Sequence, residues 1–173
     1  MSAKLETRAD CSRCAALCCI AYPSDEMPGF SASKAAGQPC PKLGGDGFCT
    51  IYERREQEGF SGCIRYECFG AGQHVVQALF EGRDWREDPK LLGPMVETFL
   101  EMRPLSDLAY LVERAQAVVD EETVSEELSG LEKELARIGQ SRASLADSKA
   151  FEKCQNAIRR IYATIDPAKL RKS

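Results

Sequence analysis

No apolar run in this sequence approaches the roughly 20 residues that a membrane-spanning helix requires, so a bilayer-spanning role is not expected. The opening segment, Met1 to Asp10, is polar and lacks the apolar stretch of a secretory leader. A soluble, cytoplasmic protein is the resulting expectation. An excess of positive charge is missing too. With 23 Lys and Arg against 27 Asp and Glu, the net charge is -4 and the pI is near 5.2, so attraction to nucleic acid or to an anionic membrane is not expected. Histidine is reduced to one residue, His74. Repeats are absent as well: Ser144-Leu145-Ala146-Asp147 has a pentapeptide-repeat flavour, but nothing like it recurs.

Against these absences stand nine cysteines. Eight of them, Cys11, Cys14, Cys18, Cys19, Cys40, Cys49, Cys63 and Cys68, lie within 58 residues, and Cys154 stands apart. Without an export signal a disulfide scaffold is the weaker reading, and in a reducing cytosol clustered thiols are better suited to metal. Buried, inert cysteines would explain one or two of the eight but not the crowd.

The chain divides near residue 73. Residues 1–80 read as a cysteine-rich metal-binding module, loop-rich and punctuated by Gly37-Gln38-Pro39, Pro41 and Gly44-Gly45-Asp46-Gly47. Its one strand-like piece is Phe48 to Tyr52. So little apolar material needs a cross-link to fold, and metal ligation supplies one. Residues 81–173 read as helical, which makes the fold class mainly α. Gln73 to Glu81 is a short helix candidate, and Asp88-Pro89 opens a helix running to Met102 that Pro94 should trim or bend. Pro104 should restart the chain for a helix from Leu105 to about Val119. Residues 121–166 read as an antiparallel helical hairpin. One seam is Val124, Leu128, Leu131, Leu135 and Ile138, and the other is Phe151, Cys154, Ile158, Ile161 and Ile165. Gly139-Gln140-Ser141 turns the chain between them. Each seam is too short for a coiled coil. Cys154 fills a seam position and reads as a small buried hydrophobe rather than a ligand.

In Cys11-x2-Cys14-x3-Cys18-Cys19, helical geometry would place Cys11, Cys14 and Cys18 on one stripe and turn Cys19 away, toward a second metal or no metal. A knuckle-shaped loop around Cys11 and Cys14 is the alternative. Zinc takes four soft ligands in a tetrahedron, and iron–sulfur clusters take four thiolates. Eight cysteines therefore suit two four-thiolate centres, or one centre with other work for the remaining four. The spacing does not say which cysteines share a metal.

The segment Cys11-Ser-Arg-Cys14-Ala-Ala-Leu-Cys18-Cys19, followed by Cys40-Pro-Lys-Leu, Asp46-Gly-Phe-Cys49-Thr-Ile-Tyr52 and Cys63-Ile-Arg-Tyr-Glu-Cys68, resembles the bacterial CxxCxxxCC family of zinc- or iron-chelating domains. Gly59 to Gln73 is also similar to the cysteine-rich leader of some pentapeptide-repeat proteins, although no repeats follow. The resemblance covers residues 11 to about 80 and implies metal binding through all eight cysteines. Zinc is the first expectation and an iron–sulfur cluster the alternative. One relative type, a flagellin lysine methylase, carries an iron–sulfur cluster on such a motif. This shorter chain shows no cofactor-binding sequence, so that activity is not carried over.

Other features are assigned lesser roles. Gly70-Ala71-Gly72 lacks a third glycine and a preceding strand for a phosphate loop, and is read as a close approach of backbone to sulfur. His74 is either a further ligand or a hydrogen-bonded residue at a helix start, and a Cys68–His74 catalytic pair lacks an orienting group. Arg54, Arg55 and Arg65 are candidates to offset thiolate charge, and Trp85 and Phe30 to cover the cluster. The expected function is metal binding, chiefly structural, with the helical region as a packing partner, a protein-interaction surface or a means of self-association. The alternatives are an iron–sulfur protein with electron-transfer or catalytic work, metal sequestration or delivery, and thiol redox sensing.

Overall fold

The computed structural model describes residues 4–24 and 28–170. The outermost residues of the two expected regions, 1–3 and 171–173, lie outside the described residues. In chain order the α-helices are α1 (Cys18–Ala21), α2 (Ser61–Arg65), α3 (Ala71–His74), α4 (Leu92–Gln116), α5 (Glu122–Ile138), α6 (Arg142–Leu145), α7 (Ser148–Thr164) and α8 (Pro167–Leu170). The fold is mainly α, and no strand forms among the described residues. The strand-like piece from Phe48 to Tyr52 makes one antiparallel bridge, Leu43 to Cys49, and then enters a 3-10 turn at Tyr52–Arg54. Its side chains explain why the pairing stops there. Phe48, Thr50 and Tyr52 are exposed and only Ile51 is buried, so there is no apolar face to extend a sheet against.

The largest correction concerns α4. Two helices broken at Pro104 were expected, but one helix runs through Leu92–Gln116 with Pro104 inside it. Pro94 sits in the first turn, where backbone N–H groups have no intrahelical partner to lose. Pro104 does remove a bond, at a cost of about 3 kcal/mol. It lies on the exposed side of the helix, where water can serve the freed carbonyl. On the opposite side Phe99, Met102, Leu105, Leu108 and Val112 are buried, each contributing roughly 1.5–3 kcal/mol. Burial outweighs the proline.

The hairpin forms as expected from its two seams, with α6 inserted at the bend. Leu128, Leu131, Leu135 and Ile138 of α5 are buried, as are Cys154, Ile158 and Ile161 of α7. Val124, Phe151 and Ile165, at the seam ends, are half-buried. Both hairpin helices pack on α4 and on each other, so three helices share the core. Side-chain caps mark the starts: Ser141 accepts from the Ser144 N–H at 3.1 Å, and Asp147 from the Ala150 N–H at 3.1 Å.

The short helix candidate begins earlier than expected, at Ala71, and its second half, Val75–Leu79, is a π-helical turn. Val75, Val76 and Phe80 join the core with Leu5, Leu17, Ala21 and Ala71. The apolar core is thus continuous across residue 80. No helix among the described residues is long and apolar enough to cross a membrane.

Candidate metal centre

The Cys11–Cys14 segment is a knuckle, not a helical stripe. Cys11–Arg13 is a single 3-10 turn capped by the Asp10 carboxylate, which accepts from the Ser12 N–H at 3.0 Å. Cys14 is extended, Ala16 takes a left-handed φ of 55°, and α1 then starts at Cys18. At this reversal the backbone N–H groups of Leu17 and Ala16 lower the Cys14 thiol a little, against the larger effect of its burial.

Helix α3 closes the other side of the knuckle. Asp10 N–H donates to Gln73 Oε1 at 2.6 Å, and the Gln73 amide donates to the Arg8 carbonyl at 3.0 Å and to Glu6 at 2.9 Å. A Cβ added to Gly72 would stand 2.5 Å from the Cys14 sulfur, so only glycine lets the backbone lie that close. The expected approach of backbone to sulfur is real at Gly72. Gly70 serves a different contact, with φ 76° and a carbonyl of Glu6 where a Cβ would fall. Trp85 covers the knuckle by donating its indole N–H to the Ala15 carbonyl at 2.8 Å.

Cys68 immediately precedes this turn, and its carbonyl accepts from the Ala71 N–H at 3.0 Å. Its loop is held from α4 by Arg103, which had no distinguishing signal in the sequence. The Arg103 guanidinium donates to the Glu67 carbonyl at 2.6 Å, pairs with Asp107 and lies over the rings of Tyr66 and Phe69.

The remaining cysteines lie on the irregular stretch. Cys40 donates its backbone N–H to the Cys19 carbonyl at 3.0 Å. Leu43 N–H bonds the Cys40 carbonyl at 2.9 Å, and the Leu43–Cys49 bridge returns the chain. Cys63 sits on α2, which is tied back by the Gly62 N–H donating to the Gly29 carbonyl at 3.0 Å. Phe30 packs over Gly62 as a covering ring.

Burial and mutual repulsion set the thiol acidities. Burial pushes Cys14 up to about 12 despite its backbone donors, and pushes Cys63 up to about 11, helped by the charges of Cys19, Cys40 and Cys49. Burial also raises Cys11, with Cys68 and Cys19 adding, and raises Cys40 against a donation from the Lys42 N–H. Cys18 rises because its thiol donates to Cys19 and because it is buried. Cys19 is the exception. The Cys18 donation lowers it to about 7 against the effect of burial, aided by the charges of Lys34 and Arg55.

Lys34 is the second group that sequence reading missed. It is 8% exposed, and its ammonium donates to the carbonyls of Ile20 at 3.0 Å, Ala35 at 3.3 Å and Tyr22. A buried ammonium calls for a nearby negative charge, and Lys34 stands close enough to Cys19 and Cys40 to favour their thiolates. Of the three candidate arginines, Arg55 influences Cys19 and Cys63 while lying over the Tyr52 ring, Arg54 pairs with Glu58, and Arg65 is exposed. His74 is engaged elsewhere: its Nε2 meets the Gly139 carbonyl of the hairpin turn at 2.7 Å. Cys154 is buried in the α7 seam, away from the other eight.

All nine cysteines stand as free thiols. Among the described residues no three His, Cys, Asp or Glu side chains converge tightly enough to ligate an ion as they stand. The buried Lys34 ammonium favours anionic sulfur at Cys19 and Cys40, whereas burial holds Cys14 as a thiol in the metal-free chain.

Comparison with known proteins adds one relative. Over 110 residues, 64% of this chain, the sequence is 38% identical to "Uncharacterized protein YybG" of Bacillus subtilis (strain 168), and the matched part spans 39% of that protein. No family model and no solved structure matches the chain.

Proposed function

We propose that this chain is a metal-binding protein that holds zinc through the thiolates of Cys11, Cys14, Cys18, Cys19, Cys40, Cys49, Cys63 and Cys68, with the metal chiefly structural. The observation that carries this reading is how the fold gathers the thiols: the Cys14 sulfur lies against the bare backbone of Gly72, just past Cys68, and Cys40 is bonded through its backbone to Cys19. Burial holds the Cys14 and Cys40 thiols protonated in the metal-free chain, and ligation to a divalent metal would supply the charge that makes them thiolates. Bound zinc would supply four-coordinate cross-links to a region that has little core of its own. The helical part then serves as the rigid support and as a surface for a protein partner or a second copy.

Purification without oxygen, followed by elemental analysis and a visible spectrum, tests the reading. Zinc without colour is the expected result. Iron with acid-labile sulfide would replace zinc by an iron–sulfur cluster on the same thiolates and open redox chemistry. Protein that carries neither metal, and takes up none on reconstitution, ends the metal reading.

Cys154→Ser gives a control with a definite sign. Its metal content should equal that of the wild-type chain. Its stability to urea should fall by about 1–3 kcal/mol, because a hydroxyl replaces a thiol inside an apolar seam.

A further inference from the structure

Given metal binding through these thiolates, the arrangement of the cysteines goes further than their number. We propose that the eight form two separate four-thiolate centres: an inner one from Cys11, Cys14, Cys18 and Cys68, set against the helical core, and an outer one from Cys19, Cys40, Cys49 and Cys63, on the irregular stretch. The vicinal pair Cys18-Cys19 is where the chain passes from one centre to the other.

Packing separates the two sets. Cys14, Cys18 and Cys68 lie against the apolar core, whereas none of Cys19, Cys40, Cys49 and Cys63 does; Cys11 is exposed and joins the inner set through its knuckle and not through packing. Backbone connections separate them in the same way. The knuckle that carries Cys11 and Cys14 is bound to α3, the helix that Cys68 leads into, through the Asp10–Gln73 bond of 2.6 Å and the contact of Cys14 with Gly72. Cys19 and Cys40 are joined by a backbone bond of 3.0 Å, and Cys40 is joined through Leu43 to Cys49. The electrostatic neighbours agree with this division. Cys14 senses Cys11 and Cys68, and Cys18 senses Cys14 and Cys68 in addition to its bonded neighbour. Cys63 senses Cys19, Cys40 and Cys49, and Cys40 senses Cys19 and Cys49. Two links cross between the sets, both to Cys19: the thiol of its chain neighbour Cys18, and Cys11, which also senses Cys68.

The two centres differ in surroundings. The inner one is backed by Phe99 beyond Gly72 and is covered by Trp85. The outer one is flanked in sequence by Phe48, Tyr52 and Ile64, each about half exposed, and is accompanied by the buried cation of Lys34. The inner metal is therefore the one tied to the helical core.

The test counts zinc in the full chain, purified without oxygen, and in four variants: Cys68→Ser, Cys40→Ser, the outer double Cys40→Ser/Cys63→Ser and the crossed double Cys68→Ser/Cys40→Ser. The wild-type chain should hold two equivalents, each single variant one, the outer double one, and the crossed double none. The outer double decides even if inner variants unfold, because Cys40 and Cys63 lie off the core. It should keep one zinc and keep Cys14 and Cys68 protected from alkylation. Loss of both equivalents there, or alkylation of Cys14 and Cys68, overturns the partition, as does a wild-type chain that holds a single equivalent. A wild-type chain that carries neither zinc nor iron, and takes up none on reconstitution, overturns the metal reading itself, which keeps the two failures apart.

Discussion

Phe99→Ala should lower the stability of the chain by about 3–5 kcal/mol, and a thermal melt should show it as a drop of roughly 6–20 °C. Phe99 is fully buried on α4, and the size of the loss follows from what surrounds it. Its ring meets the Tyr22 ring edge-on at a centroid distance of 6.0 Å, and it lies behind Gly72, whose other neighbour is the Cys14 sulfur. Truncation removes the apolar contacts and leaves a cavity between the helical core and the knuckle, and neither rigid neighbour can collapse into it. The loss should therefore reach beyond α4, and the alkylation rate of Cys14 in the metal-free chain should rise. Leu100→Ala is the control, one position along the same helix. Leu100 is 42% exposed, so its loss should stay within about 0.5 kcal/mol. Equal effects at the two positions would mean that α4 presents a different face to the core.

That contrast also marks where sequence reading succeeds. The seams of α5 and α7 were legible because apolar residues three and four apart must share a helix face, and Leu128, Leu131, Leu135, Cys154, Ile158 and Ile161 are buried accordingly. Pro104 was misread because its local penalty is visible in the sequence while the compensating burial of Met102, Leu105 and Leu108 depends on partners from distant segments. The cysteine-rich stretch was legible as a crowd of thiols and illegible as geometry. Its backbone is set by reversals at Ala16, Phe69 and Gly70, which follow no period, and two of those three residues are not glycine. The division of the cysteines depends on which loop packs on α3, and spacing carries no record of that. Lys34 and Arg103 gave no signal at all. A lysine in Ser33-Lys34-Ala35 reads as a solvated loop residue, and only the fold reveals that carbonyls of Ile20 and Tyr22 surround its ammonium.

Lys34→Met should destabilise the chain by about 1–3 kcal/mol and should also change the chemistry of Cys19. Methionine keeps the length and the apolar stem, so the packing volume is nearly conserved. Removing the ammonium spares the cost of burying it, but it leaves the carbonyls of Ile20, Tyr22 and Ala35 without their charged donor. Ile20 and Ala35 keep the backbone N–H groups of Gly37 and Gln38, so the loss is mainly that of the charged bonds, which are worth more than neutral ones and outweigh the saving. The thiol supplies a readout that simple loss of packing would not move. The Cys18 donation is the main cause of the low Cys19 value near 7, burial opposes it, and the Lys34 charge assists. Taking away the charge must raise that value, which lowers the thiolate fraction at neutral pH. Each unit of rise means about a tenfold smaller thiolate fraction once the thiol form dominates, so alkylation of Cys19 in metal-free protein at pH 7 should slow several-fold. The sign with pH follows from the same lowering. Stability from the Cys19 thiolate is complete above its unfolded value of 9.0 and is lost as pH falls through about 7. Wild-type, metal-free protein should therefore lose part of its stability over that window, and Lys34→Met should lose less. Lys34→Arg, which keeps the charge, should restore the Cys19 reactivity even where the bulkier guanidinium packs poorly. A methionine variant with wild-type stability and wild-type Cys19 reactivity would show that the buried cation and the thiolate are not coupled.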